Sequence, residues 1–370
     1  MIAVDQKQME EEINKLTCYI APVRRSNERR QQVVDFMRDV LGKHGHIIEC
    51  GSSFLKSYLP ESDLDLVFVA PTETKTSREE MQYLTAIFNS LCCEIADREE
   101  GKSAHTDMVV RNVEFVNART KLAHCLVNNI PVDVTVNQIG SLLTVTFLEE
   151  ADRFIGVDHL FKRSLLLIKN WCQHESTYYC GQAIIGAKSG MLSSYAISVL
   201  TLHIFSKYAN LTHPFSVLRC FLYLYMNFPW EANLLTLDGV QPLQRLTPAS
   251  MCVKSSLFGP MLVKIEHHKA LGVYKQAAMA VHYGRFSVKS CNIQDPMDPY
   301  NNLGISVPRG NLKLITQACQ GGFRHLENLL GKHAAVLSKD LKSQETLSRD
   351  YRVDESMAAY GVVKRRWKWR

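Results

Sequence analysis

Asp63 and Asp65, in the stretch "SDLDLVFV", are two carboxylates one residue apart inside an apolar run of this 370-residue chain. In a β-strand, positions i and i+2 share a face, so both acids point one way while Leu64 and Leu66 turn to the core. Two carboxylates held side by side repel, and without a neutralising cation one tends to stay protonated; a divalent metal resolves the conflict. A third acid, Asp133 in "PVDVTVNQ", lies in a similar apolar strand that an adjacent place in a sheet would bring within reach. Three carboxylates can hold two Mg²⁺ ions, with Mn²⁺ as a substitute, water and phosphate oxygens completing the coordination. That is the minimum apparatus for in-line nucleotidyl transfer. One metal lowers the pKa of an attacking hydroxyl, the other neutralises triphosphate charge, and Asp133 accepts the proton as general base. Asp63, Asp65 and Asp133 are therefore the expected catalytic and metal-binding residues.

Gly51 and Ser52 supply the complementary part, Asp63 following Ser52 by eleven positions. A residue without Cβ lets backbone approach a phosphate, and the next amide and hydroxyl can donate to it, especially where a helix starts.

The elements that must carry these residues follow from periodicity. Residues 5–42 read as helical, with Val33, Val34, Phe36, Met37, Val40 and Leu41 on one stripe. "HIIEC", "LDLVFV", "MVVRNVEFV", "KLAHCLV" and "PVDVTVNQ" have the length and β-branched content of strands, interrupted by a helical run near 78–95. From Asp158 onward long helical runs take over, and "EEADRFIGVD" between the two textures is the expected hinge. The expectation is an α+β protein with a catalytic domain over 28–150 and a mainly helical domain over 151–330. A helix within 1–27 is expected to pack on the helical domain, and a polar, basic tail occupies 331–370.

Composition is that of an ordinary globular protein, 46% hydrophobic and 22% charged. A net charge of +6 permits a polyanionic partner without requiring one. Eleven cysteines without a CxxC pair or a Cys/His zinc spacing read as free thiols in a reducing compartment, and the polar start carries no secretory pattern. The longest apolar stretch, near "AISVLTLHIF", is too short for a membrane span. The terminus "VVKRRWKWR" places five basic residues and two tryptophans in seven positions, which suits a phosphate backbone and stacked bases, a solvated tail or a localisation signal.

The Gly-Ser, Asp-Leu-Asp and later Asp pattern resembles the polymerase-β-like nucleotidyltransferases, and more narrowly the non-canonical poly(A) polymerases and terminal uridylyltransferases, over about residues 30–330. The resemblance implies a mixed-sheet catalytic domain, a PAP-associated helical domain and a cleft between them. It also assigns nucleotide-binding residues. Gly51 and Ser52 hold the triphosphate; Asn137, in "VNQ", contacts the sugar; Lys169, in "LLLIKNW", reaches the triphosphate. Ser194 and Tyr195, in "LSSYAI", touch phosphate and stack on the base. In "NIQDPMDPYNNLGISV", similar to the nucleotide-recognition motif, Asp295, Asp298 and Asn301 lie near the base edge.

Three positions depart from the family pattern. Asn301 stands where uridine-preferring members often have histidine, Gln173 where a second lysine is common, and Ile305 where the motif usually has arginine. The resemblance thus implies a template-independent RNA 3′-terminal nucleotidyltransferase using ATP, with a UTP-using uridylyltransferase or a catalytically silent RNA-binding scaffold as alternatives. Its expected partners are ATP or UTP and a single-stranded RNA 3′ end; since no RNA-binding domain is recognisable, either the basic tail and cleft supply the RNA affinity or a partner protein delivers the RNA, and a membrane is not among the partners. An intracellular location is expected, with nucleus, cytoplasm and mitochondrion all open.

Overall fold

Two helices open the chain, Gln6–Ile20 (α1) and Arg24–Leu41 (α2), where the apolar spacing predicts one helical run. Pro22 makes the break: it has no N–H for the helix ladder, and its ring drives the preceding residue out of helical backbone. The computed structural model describes residues 6–71, 76–117, 120–208, 210–246 and 286–330, so the basic terminus lies outside the described residues. Among these, Pro22–Glu149 form one compact unit, and residues up to Ala21 together with those from Glu150 onward form another.

The first unit is built on a five-stranded sheet. Strands His46–Glu49 (β1) and Leu64–Val69 (β2) flank a short helix, Gly51–Phe54 (α3); after a long helix, Ser77–Glu99 (α4), come Val110–Asn117 (β3), Lys121–Val127 (β4) and Ile130–Val136 (β5). The spatial order is β1-β2-β5-β4-β3. β2 and β5 run parallel, and the other neighbours are antiparallel. Strand alternation sorts the residues into two faces. Leu64, Leu66 and Phe68, Val132, Val134 and Val136, and Ala123, Cys125 and Val127 form one buried cluster with Val33, Val34, Met37 and Leu41 of α2 and Leu84, Ile87 and Leu91 of α4. The residues between them in sequence, Asp65, Asp133 and His124 included, necessarily belong to the opposite face. Thr76 starts α4 with a reciprocal cap, accepting from Glu79 N–H while the Glu79 carboxylate accepts from Thr76 N–H.

One cation of α2 works inside this unit. Arg30 is only 3% exposed. Its guanidinium donates to the carbonyls of Ser62, at 2.5 Å, and Asp63, at 3.2 Å, and lies 4.1 Å from the centre of the Tyr58 ring. Tyr58 in turn donates toward Ser26 and Asn27 at the start of α2. Burial lowers the Arg30 pKa, opposed by the charges of Tyr58, Glu49, Asp63 and Asp65. The turn that leads into β2 is thereby tied to a helix on the other face of the sheet.

Ile139–Ile155 (α5) carries the chain from the first unit into the second. There follow Leu160–Asn170 (α6), a wide helical turn over Trp171–Glu175, Ser176–Cys180 (α7), Ser194–Lys207 (α8), Pro214–Met226 (α9), a hairpin of Asn233–Thr236 (β6) and Gly239–Pro242 (β7), and Arg309–Leu330 (α10). α10 packs on α9 and α7, and α1 packs on α6 and α9. Arg219 of α9 and Glu327 of α10 form a shielded ion pair at 2.7 Å. The ten described cysteines are all free thiols. Among the described residues no helix is long and apolar enough to cross a membrane.

Replacing Arg30 by Met leaves two carbonyls without their charged donor and removes the ring contact, and is expected to destabilise the protein by about 2–3 kcal/mol. Urea unfolding of the variant measures this; a change within about 0.5 kcal/mol would mean that the turn holds without Arg30.

Candidate active site

The pairing of β2 with β5 sets Asp65 directly against Asp133, register partners on adjacent parallel strands. Partners in register share a face, so the two carboxylates stand side by side. Asp63 lies just before β2, in the turn held by Arg30. Asp133 is 8% exposed, and its Oδ1 accepts from Nδ1 of His124, its register partner on β4, at 2.6 Å. Among the described residues no three His, Cys, Asp or Glu side chains are gathered into a ready metal cage. The donor chemistry nevertheless fits magnesium: three hard carboxylates, two of them adjacent by register and the third two residues upstream of Asp65.

Gly51 completes this corner. It begins α3 with φ +65°, and a methyl group on its Cα would overlap the Asp65 carboxylate. A glycine is thus required twice, by backbone conformation and by the approach of the acid. The preceding residue ties the same corner down, Cys50 N–H donating to the Asp65 carbonyl at 3.0 Å. Ser52 follows in α3, and its carbonyl accepts from Ser57 N–H. Asn137 sits at the end of β5 in left-handed backbone, where its Oδ1 accepts from Ala70 N–H at 2.9 Å and its own N–H donates to Phe68 O at 2.8 Å. Its acceptor is engaged in closing the ends of β2 and β5.

The remaining predicted residues belong to the second unit. Lys169 lies in the last turn of α6 and is only 4% exposed, so its stem does not snorkel. Ser193, rather than Ser194, caps α8, its hydroxyl accepting from Ala196 N–H at 3.0 Å, and Ser194 follows it exposed. Tyr195 donates its hydroxyl to Asp295 Oδ1 at 2.7 Å. Asp295 also accepts from Met297 N–H at 2.8 Å and, on Oδ2, from the Asn301 amide at 2.9 Å. Burial pushes the Asp295 carboxyl up, and these three hydrogen bonds pull it back. Because the Asn301 amino group is turned to Asp295, its Oδ1 is left buried with no partner among the described residues. Asp298 builds the turn, its carboxylate accepting from Tyr300 N–H at 3.1 Å.

Asn302, beside Asn301, is fully engaged. Its Oδ1 accepts from the N–H groups of Ile293 and Gly304, and its amino group donates to Ser287 O, Cys291 O and Asn292 Oδ1. A side chain at Gly304 would collide with the Cys291 carbonyl. The motif therefore divides its labour: Asn302 and Gly304 shape the loop, and Asp295 gathers Tyr195, Met297 and Asn301 around one buried carboxylate.

Periodicity alone does not mark two of these contributors, His124 and Arg30. A signal for His124 exists in the turn "NN": Asn128 and Asn129 both have positive φ, and they close a two-residue hairpin pairing Val127 with Ile130. Such a turn fixes the register, and counting back places His124 against Asp133. Arg30 has no comparable signal, because its partners are backbone carbonyls.

Gly51→Ala is expected to cost about 2–3 kcal/mol, part from the left-handed φ and part from overlap with Asp65. In a double-mutant cycle with Asp65→Ala, denaturation should show about 1 kcal/mol or more of coupling, since the second change removes the overlap. Simple additivity would mean that the backbone conformation carries the whole cost.

The sequence pattern of the PAP/OAS1 substrate-binding domain matches residues 155–345. No curated protein matches the chain in sequence. Among solved structures, the Cid1 poly(U) polymerase superposes with a TM-score of 0.59 at 14% identity, covering 88% of this chain and 98% of its own. A cytoplasmic RNA terminal U-transferase gives 0.58 at 15% identity, covering 87% and 94%. A histidine-to-asparagine variant of Cid1 bound to Mg-ATP gives 0.61 at 15% identity, covering 91% and 99%. Such identities establish a shared fold, that of the polymerase-β-like nucleotidyltransferases, and the matched pattern spans half of the chain. The chain belongs to the PAP/OAS1 substrate-binding domain family and, through it, to the RNA nucleotidyltransferases that include the non-canonical poly(A) polymerases.

Proposed function

We propose that this chain adds adenylate from ATP to the 3′ end of single-stranded RNA without a template. The observation that carries the choice of base is the orientation of Asn301. With its amino group donated to Asp295, it offers a buried acceptor and no donor at Oδ1. Adenine carries an amino donor at N6, where uracil carries the O4 acceptor, so the acceptor favours adenine and leaves uracil facing a like dipole. Asparagine at this position, where the family's uridine-preferring members often have histidine, supports the same reading. The Cid1 variant solved with Mg-ATP carries an exchange of the same residue types, histidine to asparagine.

In this reading Asp63, Asp65 and Asp133 hold magnesium, as two ions, which when bound supplies Lewis-acid activation of the attacking hydroxyl and neutralises triphosphate charge. Asp133 accepts the proton of the RNA 3′-hydroxyl as its oxygen attacks the α-phosphorus of ATP and pyrophosphate leaves. Gly51 lets the backbone approach the phosphates, and Ser52, Lys169 and Ser194 donate to them. The Tyr195 ring, anchored through its hydroxyl, stacks on the base. Stacking is worth about 1–3 kcal/mol and barely distinguishes bases, so discrimination falls to Asn301. Asn137 acts near the sugar through the backbone it fixes.

A second reading, a terminal uridylyltransferase, is favoured by the activities of the solved relatives, a poly(U) polymerase and a terminal U-transferase. Extension of a labelled single-stranded RNA with Mg²⁺ and each nucleotide separately decides between them. ATP ladders are expected; UTP ladders would move the assignment to the second reading, and RNA binding without extension would point to a silent scaffold. Asp133→Ala should lower turnover by about 10²–10⁴-fold with the fold intact, and near-normal activity would remove Asp133 from the mechanism. Asn301→His should shift the ATP:UTP ratio toward UTP by about tenfold, and an unchanged ratio would remove Asn301 from base selection.

A further inference from the structure

We propose that His124 is a positioning residue for the transfer, holding the Asp133 carboxylate by one oxygen so that the other is presented to the catalytic cation. The inference rests on the reading that Asp65 and Asp133 bind that cation. Three strands carry the row: Asp65 on β2 pairs in register with Asp133 on β5, which pairs in register with His124 on β4. Asp133 thus has an acid on one flank and an imidazole on the other. The imidazole Nδ1 lies 2.6 Å from Asp133 Oδ1, with side-chain exposures of 19% and 10%. A carboxylate has no proton to give, so Nδ1 carries the hydrogen and donates it. Asp133 Oδ2 makes no hydrogen bond among the described residues.

The terminal torsion of an aspartate is broad, so an unheld carboxylate samples many orientations. Here the β4–β5 hairpin is closed by Asn128 and Asn129, which leaves the two residues no freedom to slip in register. His124 converts that rigidity into a fixed direction for Oδ2. Outer partners that orient metal-binding carboxylates in this way typically change affinity or activity by about 10–100-fold when removed.

The test uses the full chain and Mn²⁺ alone, with binding followed by loss of the free-ion paramagnetic resonance signal. His124→Ala should weaken Mn²⁺ binding by about tenfold with little change in melting temperature, and His124→Asn, which keeps a donor on a short side chain, should restore most of it. In RNA extension, His124→Ala should raise the Mg²⁺ concentration for half-maximal rate, with most of kcat recovered at saturating Mg²⁺ and KM for RNA unchanged. Wild-type Mn²⁺ binding that both variants match or exceed would overturn the proposal, since His124 would then be a bystander or a competitor for Asp133. Wild-type binding no stronger than that of an Asp65→Asn/Asp133→Asn control would remove the metal reading itself, and the role of His124 with it.

Discussion

The parallel pairing of β2 with β5 is the constraint on which the rest of the first unit depends. It places Asp65 and Asp133 side by side in register, on the face of the sheet opposite the apolar cluster under α2 and α4. Two carboxylates at that spacing repel, and the sheet holds them there with the packing energy of Leu64, Leu66, Val132 and Val134, which alternate with the acids and are fully buried. Hydrophobic burial on one face thus sustains electrostatic tension on the other. Each neighbour of the pair answers that tension differently. Arg30 adds a buried positive charge nearby, Gly51 withdraws its side chain, and His124 engages an oxygen of Asp133.

The helical unit meets a different constraint. Asn301 Oδ1 is a buried polar atom with no partner among the described residues, which is costly inside a protein, so the surrounding atoms must hold it in place. Asp295 does this with three donors converging on one carboxylate, and Asn302 does it by immobilising the loop from within. One unsatisfied oxygen is sustained by a segment in which the surrounding polar groups are satisfied. The cost of that oxygen is about 1–3 kcal/mol, small enough for the hydrogen bonds around it to offset.

Much of this was legible in the sequence because strand chemistry has a period of two. "LDLVFV" and "PVDVTV" announce both a buried face and the acids on the other one, and the Gly-Ser turn before them is equally local. The strands and α4 follow from the same patterns, while the break at Pro22 divides a run whose apolar periodicity looks continuous. What the sequence hid depends on packing, register and single backbone angles that hydrophobic periodicity does not record. Lys169 sits on an amphipathic helix and yet is buried, because burial is decided by neighbouring helices rather than by its own periodicity. The cap of α8 falls on Ser193 where Ser194 looks equivalent, a choice made by the backbone angle of one residue. His124 reads as an ordinary strand residue until the hairpin turn is used to count the register.

Three asparagines show how such roles can be told apart. Asn137, Asn301 and Asn302 all stand in motifs for which the sequence resemblance implies nucleotide binding, and residue type alone gives them the same potential. Their hydrogen bonds differ. Asn302 spends both ends on backbone and on Asn292, so it can only be architecture. Asn137 commits its oxygen to Ala70, so it shapes the strand ends instead of offering a free acceptor to a sugar hydroxyl. Asn301 commits its amino group to Asp295 and keeps its oxygen unspent in a buried place. An amide with one end fixed and the other unsatisfied keeps a hydrogen-bonding capacity that no neighbour among the described residues uses, and the proposed reading assigns it to the base. The chemistry of a site is therefore better read from which hydrogen-bonding capacity remains than from which residues are present.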